Sequence, residues 1–113
     1  MLMIETISDA AAENNELLLA RVEDLGGGYC WDAEIFAVTL MDVAVLDQDA
    51  KILCGLVGVQ QVALNASLLS FSVLEEIAQI PGLQSLVLNV PAISEPEIDS
   101  LRRFVPEVLV VDE

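Results

Sequence analysis

Carboxylates are the most numerous side chains here that could do chemistry, and several are close in sequence: Glu75-Glu76, Glu95, Glu97 and Asp99. Two carboxyl groups held together in a dry site titrate apart, so one can act as acid and the other as base. That chemistry needs a cleft with apolar walls. These residues instead share the outer side of helical segments with Gln79, Arg102 and Arg103, which predicts a solvated face and no catalytic role. Arg103 follows Asp99 at i+4, so an ordinary helix-surface pair is expected. Asp47 and Asp49 resemble the start of a calcium loop, but the remaining ligand positions are missing. Cys30 and Cys54 fit no metal-ligand spacing, and the chain has no His. Reduced, buried thiols in a cytoplasmic protein are expected of them. Gly26-Gly27-Gly28 is not a phosphate-cradling loop, because it follows a helical pattern and no Lys-Ser/Thr comes after it. No catalytic residue, cofactor or metal is expected.

Charge narrows the partners. The chain has 113 residues, with 19 acidic and 4 basic side chains and a net charge of −15. Nucleic acid is disfavoured because its binding relies on Lys and Arg at phosphates. An anionic membrane surface is disfavoured for the same reason, whereas a basic protein fits. Mean hydropathy is +0.62, yet no apolar run approaches the roughly 18 residues of a membrane span. Met1-Leu-Met-Ile4-Glu5 has neither a basic region nor a long apolar core, so no secretory signal is expected.

The elements that position these groups are set by a repeat. Ile35-Phe-Ala-Val38-Thr-Leu40, Val59-Gln-Gln-Val62-Ala-Leu64 and Leu83-Gln-Ser-Leu86-Val-Leu88 start 24 residues apart, each apolar at its first, fourth and sixth places. Further columns keep that spacing: Val45, Leu69 and Ile93; Ala50, Leu74 and Ile98; Leu53, Ile77 and Leu101; Leu56, Ile80 and Phe104. A partial fourth copy is read from Val108, with Val105 as an extra residue. A period of this size marks a stack of strand–turn–helix units. Ser72-Val-Leu-Glu75 and Ser94-Glu-Pro-Glu97 both match a capping box at a helix start. Pro81 and Pro106 stop the helices. Ahead of the repeats, residues 8–25 read as a helix with Ser8 as N-cap and an apolar stripe of Leu18, Val22 and Leu25. The glycine run ends it, and Tyr29-Cys30-Trp31 reads as a short strand closing the apolar end of the stack.

The pattern Leu83-x-x-Leu86-x-Leu88, and its variant Val59-x-x-Val62-x-Leu64, resembles a leucine-rich repeat. Leu25-Gly26-Gly27, the short strand over Tyr29–Asp32 and Ser94-Glu95 at a helix start resemble a bacterial form of that family. The resemblance spans about residues 17–113. The family's usual Asn, Cys or Thr eight places after the first Leu is replaced by Val43, Ser67 and Pro91, so only Ser67 can bond to the turn. Asn65 and Asn89 read as turn formers. The resemblance implies an α/β leucine-rich-repeat solenoid, with a parallel sheet on the concave face, helices on the convex face and an N-terminal helical cap. Residues 1–34 hold the cap and first strand, and 35–113 the repeats, as one structural unit.

In such a stack the outward strand positions line the concave face. Those rows are Phe36, Gln60, Gln84 and Leu109; Ala37, Gln61, Ser85 and Val110; and Thr39, Ala63, Val87 and Asp112, with Met41, Asn65 and Asn89 extending the edge. The face is nearly uncharged, as interface cores are. The last strand, Val108-Leu109-Val110-Val111, presents an unpaired edge. Asp112 and Glu113 can blunt it with charge, or two copies can join edge to edge as a homodimer. The expected function is non-catalytic binding of a protein partner through the concave face, with self-association through the edge. The alternative is a small acidic inhibitor or immunity-type protein that neutralises a basic toxin or nuclease.

Overall fold

The computed structural model describes residues 9–31, 35–89 and 93–111. The elements in chain order are α1 (Asp9–Asp24), β1 (Gly28–Trp31), β2 (Phe36–Ala44), α2 (Asp47–Ala50), a 3-10 segment (Lys51–Gly55), β3 (Gln61–Asn65), α3 (Phe71–Ala78), β4 (Ser85–Asn89), α4 (Glu95–Arg102) and β5 (Glu107–Val111). The five strands form one sheet in the order β1-β2-β3-β4-β5. β1 runs antiparallel to β2, and every later pair is parallel. Expectation and structure therefore agree on α/β with a mostly parallel sheet, and the structure adds the direction of β1, which the sequence left open. Its chain reverses too soon after Trp31 for the crossover that a parallel pair needs.

One side of the sheet is covered. Val38, Leu40, Val62, Leu64, Leu86, Leu88 and Val108 are buried on it, packed with Leu53, Leu74, Ile77 and Leu101 from the helical segments. Strand periodicity then leaves Ala37, Thr39, Gln61, Ala63, Ser85, Val87, Glu107 and Leu109 on the other face, where all are half-buried or exposed.

α1 docks by Asn15, Leu19 and Val22, which are buried at i, i+4 and i+7. Of the expected stripe, Val22 is fully buried, while Leu18 and Leu25 flank the contact and are partly buried. Asn15 is fully buried, and its side chain clamps the Val57 backbone, with Nδ2 donating to Val57 O and Val57 N donating to Oδ1, both at 2.9 Å. Asn14 Nδ2 adds a bond to Gly55 O. The helix ends with Gly27 N donating to Val22 O and Gly26 N to Glu23 O. This is a Schellman closure, with Gly26 at φ 97°. Gly27 passes so close to β2 that a Cβ there would lie 2.5 Å from Thr39 O. Ser8 lies outside the described residues.

The last repeat differs from the sequence reading. Ala37, Gln61, Ser85 and Glu107 are in register, as are Thr39, Ala63, Val87 and Leu109. Ser85 and Glu107 are 22 residues apart, not 25. Val105, expected to be surplus, is fully buried and occupies the first apolar place of the pattern Val105-x-x-Val108-x-Val110. Two residues are missing between helix and strand, so Phe104 loses its core position and stands 47% exposed. β2 contains the opposite irregularity: its register jumps between Leu40 and Ala44, and Val43 bulges to the surface.

Helix starts also divide. Ser94 caps α4 in a capping box, with Glu97 N donating to Ser94 Oγ at 3.3 Å and Ser94 N to Glu97 Oε1 at 3.0 Å. α3 has no such box, because its N-cap is Ser70 and Ser72 already lies in the first turn. Ser70 N instead donates to Asp47 Oδ1 of the preceding unit at 2.8 Å. Asn65 forms the expected turn, its Oδ1 accepting from Ser67 N at 3.2 Å and from Ser67 Oγ at 2.8 Å. Pro91 lies outside the described residues. Among the described residues, no helix is long and apolar enough to cross a membrane.

Candidate functional site

Small residues on the open face leave a groove across its first four strands. Its volume is about 350 Å³, and it is lined by Tyr29, Cys30, Ala37, Val38, Thr39, Gln61, Val62, Ala63 and Val87. The strands supply it by simple alternation: Ala37 and Thr39, Gln61 and Ala63, and Val87 all point away from the core. Ala63 and Thr39 are short, so their positions form the floor. β1 supplies the rim with Tyr29 and Cys30. The volume suits a few side chains of a partner, at the small end of ligand pockets.

Five of the nine expected binding residues line this groove: Ala37, Thr39, Gln61, Ala63 and Val87. Phe36 does not, because it is buried with Val38 and Leu40 on the covered side of β2. Ile35, the first apolar place of its repeat, is 46% exposed. The two neighbours exchange roles because β2 begins one residue earlier in the repeat than β3 and β4, so Phe36 already alternates with Val38 and Leu40. Gln60 is half-buried and tied to the adjacent strand, where its Oε1 accepts from Phe36 N at 3.2 Å. Gln84 is exposed outside the groove lining. Ser85 faces the open side and donates from Oγ to Glu107 Oε1 at 3.0 Å. Glu107 is a residue the sequence reading missed on this face, because it follows from the 22-residue spacing. Val110 does not occupy the place assigned to it, since it pairs in register with Leu88, and Asp112 lies outside the described residues.

Cys30 is exposed, against the expectation of a buried thiol, and Cys54 is half-buried. Neither forms a disulfide. Burial pushes the Cys54 thiol up, the charge of Glu76 adds to this, and Lys51 opposes it.

The helix-face carboxylates form no shared site. Glu75 is half-buried and accepts from Ser100 Oγ at 3.4 Å, while Glu76, Glu95 and Asp99 are exposed. Among the described residues, no cluster of three or more His, Cys, Asp or Glu could hold a metal ion. The expected Asp99–Arg103 pair is replaced by Asp99–Arg102, at 3.9 Å.

β5 is the edge strand, with Leu109 47% and Val111 38% exposed and Val108 buried. Glu107 N donates to Gln84 O. Parallel alternation then turns the backbone groups of Val108 and Val110 toward the outer edge. Arg102 Nη2 covers one of them, donating to Val108 O at 3.4 Å.

No family model matches the chain, and comparisons with curated proteins and with solved structures return no match.

Proposed function

We propose that this chain is a non-catalytic protein-binding module built as a short leucine-rich-repeat solenoid of bacterial type, with the open face of the sheet as its concave binding surface. One observation carries the reading: an apolar groove lies on a polar sheet face that carries Glu107 and little other charge, in a chain whose charges gather on its helices. A surface of that kind resembles the uncharged centre of an interface rather than ordinary solvated exterior. The solenoid reading is supported by strands that stay in register across successive units. It is also supported by Gly58 and Gly82, which are 24 residues apart and take positive φ at the same point before a strand.

Self-association through β5 is a lesser part of the same proposal. It requires Arg102 to release the Val108 carbonyl, since a pairing strand needs that acceptor.

The binding surface is tested by Ala63→Trp, which fills the groove without changing charge. Partners held by the wild-type chain and lost by a folded Ala63→Trp variant support the reading. Retention of every partner at wild-type affinity contradicts it.

A further inference from the structure

We infer that the groove takes a basic segment of a partner protein, with one apolar side chain entering the groove and a Lys or Arg meeting Glu107 about three or four residues away. This rests on the open-face reading above and adds the chemistry of the partner.

The chain has four basic residues. Arg21 is in α1, Lys51 in the 3-10 segment, Arg102 in α4 and Arg103 at its C-cap. None is in a strand. The charged residues of the strands are Asp42 and Glu107, both acidic and both exposed. The strands therefore offer an approaching peptide no cation of their own, and Arg102 reaches β5 at its outer edge, on Val108 O, in a molecule of net charge −15. Such a field draws in a basic partner and repels an acidic one. It also disfavours a second copy of this chain as the occupant, because that copy brings the same charge.

Geometry sets the spacing. Ser85 Oγ holds the Glu107 carboxylate on the open face, in the row shared with Ala37 and Gln61. The groove floor at Ala63 lies on β3, two strands from β5. Leu109 is the β5 residue opposite Ala63, so Glu107 lies two strands across and two residues along. Spacings of about 10 Å and about 7 Å combine to about 12 Å, which an extended peptide covers in about three to four residues. A segment crossing the strands diagonally with its apolar residue over Ala63 thus places a side chain three or four positions away beside Glu107.

The test uses three fluorescein-labelled nine-residue peptides and the full chain. The first has leucine at its centre, two serines on either side and two lysines at each end. In the second, glutamates replace the lysines. In the third, serine replaces the leucine. Fluorescence anisotropy is expected to show binding of the first peptide alone, weakened about tenfold between low and physiological salt. Glu107→Gln, an exposed change that keeps the fold, is expected to weaken it about two- to fivefold. Ala63→Trp is expected to abolish it. Equal binding of the lysine and glutamate peptides overturns the basic-partner inference and leaves the groove reading standing. Equal binding of both lysine peptides, unaffected by Ala63→Trp, reduces the effect to surface charge and overturns the groove reading as well. Absence of binding by all three, while Ala63→Trp still removes natural partners, overturns this inference alone. A dimer of the chain that Ala63→Trp dissociates would make a second copy the occupant and overturn it too.

Discussion

The two faces of the sheet are made from alternating residues of the same strands, yet they obey different rules. On the covered face, Val62, Leu64, Leu86 and Leu88 are large, aliphatic and almost wholly removed from water. On the open face, Gln61, Ala63, Ser85 and Val87 are small or polar and stay half-buried or exposed. The covered face supplies stability through apolar burial. The open face is relieved of that task, so its residues can be spent on shape and charge. The contrast separates changes that should unfold the protein from changes that should only blind it.

The largest effect is expected from crossing that line within one strand. Leu86→Ala should destabilise the fold by about 3 kcal/mol, while Val87→Ser next to it should stay within about 0.5 kcal/mol. Urea denaturation of the two variants measures the contrast, and equal losses would mean that the faces are misassigned. Asn15→Ala comes next. It strips both partners from the Val57 backbone at the junction of cap and first repeat, and should cost about 2 kcal/mol. An unchanged denaturation midpoint would remove Asn15 from the set of structural clamps.

The cysteines sharpen the comparison kinetically. Cys30, exposed at the rim of the open face, should react with a thiol reagent before half-buried Cys54. Cys54 is held in its protonated, unreactive form up to higher pH, first by burial and then by the Glu76 charge. Its labelling should therefore rise only at higher pH and should quicken in Glu76→Gln. Mass spectrometry of partly labelled protein reads both rates, and simultaneous labelling at all pH values would contradict the account. The smallest effect belongs to the sheet edge. Arg102→Ala uncovers the Val108 carbonyl and should produce weak, concentration-dependent dimerisation in sedimentation velocity. A monomer at every concentration would end the edge-pairing proposal.

The element order was largely legible in the sequence because apolar columns repeat at a fixed spacing and each column has one physical meaning. What remained hidden lay where neighbouring residues were chemically alike. Leu17, Leu18 and Leu19 are consecutive, so the buried stripe of α1 could not be placed to better than one residue, and the buried Asn15 broke the apolar pattern that would have fixed it. Ile35 and Phe36 presented the same ambiguity at the start of β2. Ser70 and Ser72 both suit a helix start, and the helix begins after the first. The two-residue shortening before β5 had a readable trace, since Val105, Val108 and Val110 repeat the apolar places of Leu83, Leu86 and Leu88. Reading Pro81 and Pro106 as equivalent concealed it and kept Glu107 off the open face. The groove itself depends on short side chains across four strands and on antiparallel β1, and no linear pattern in the chain encodes that combination.

The central claim is that partners meet the open face and not the helical exterior. Photo-crosslinking tests it most directly, with a benzophenone amino acid placed at Ala63 in one variant and at exposed Gln79 in another. The account predicts that a partner is captured from Ala63 and that Gln79 captures none of it. Capture of the same partner from Gln79, with Ala63 silent, would contradict it.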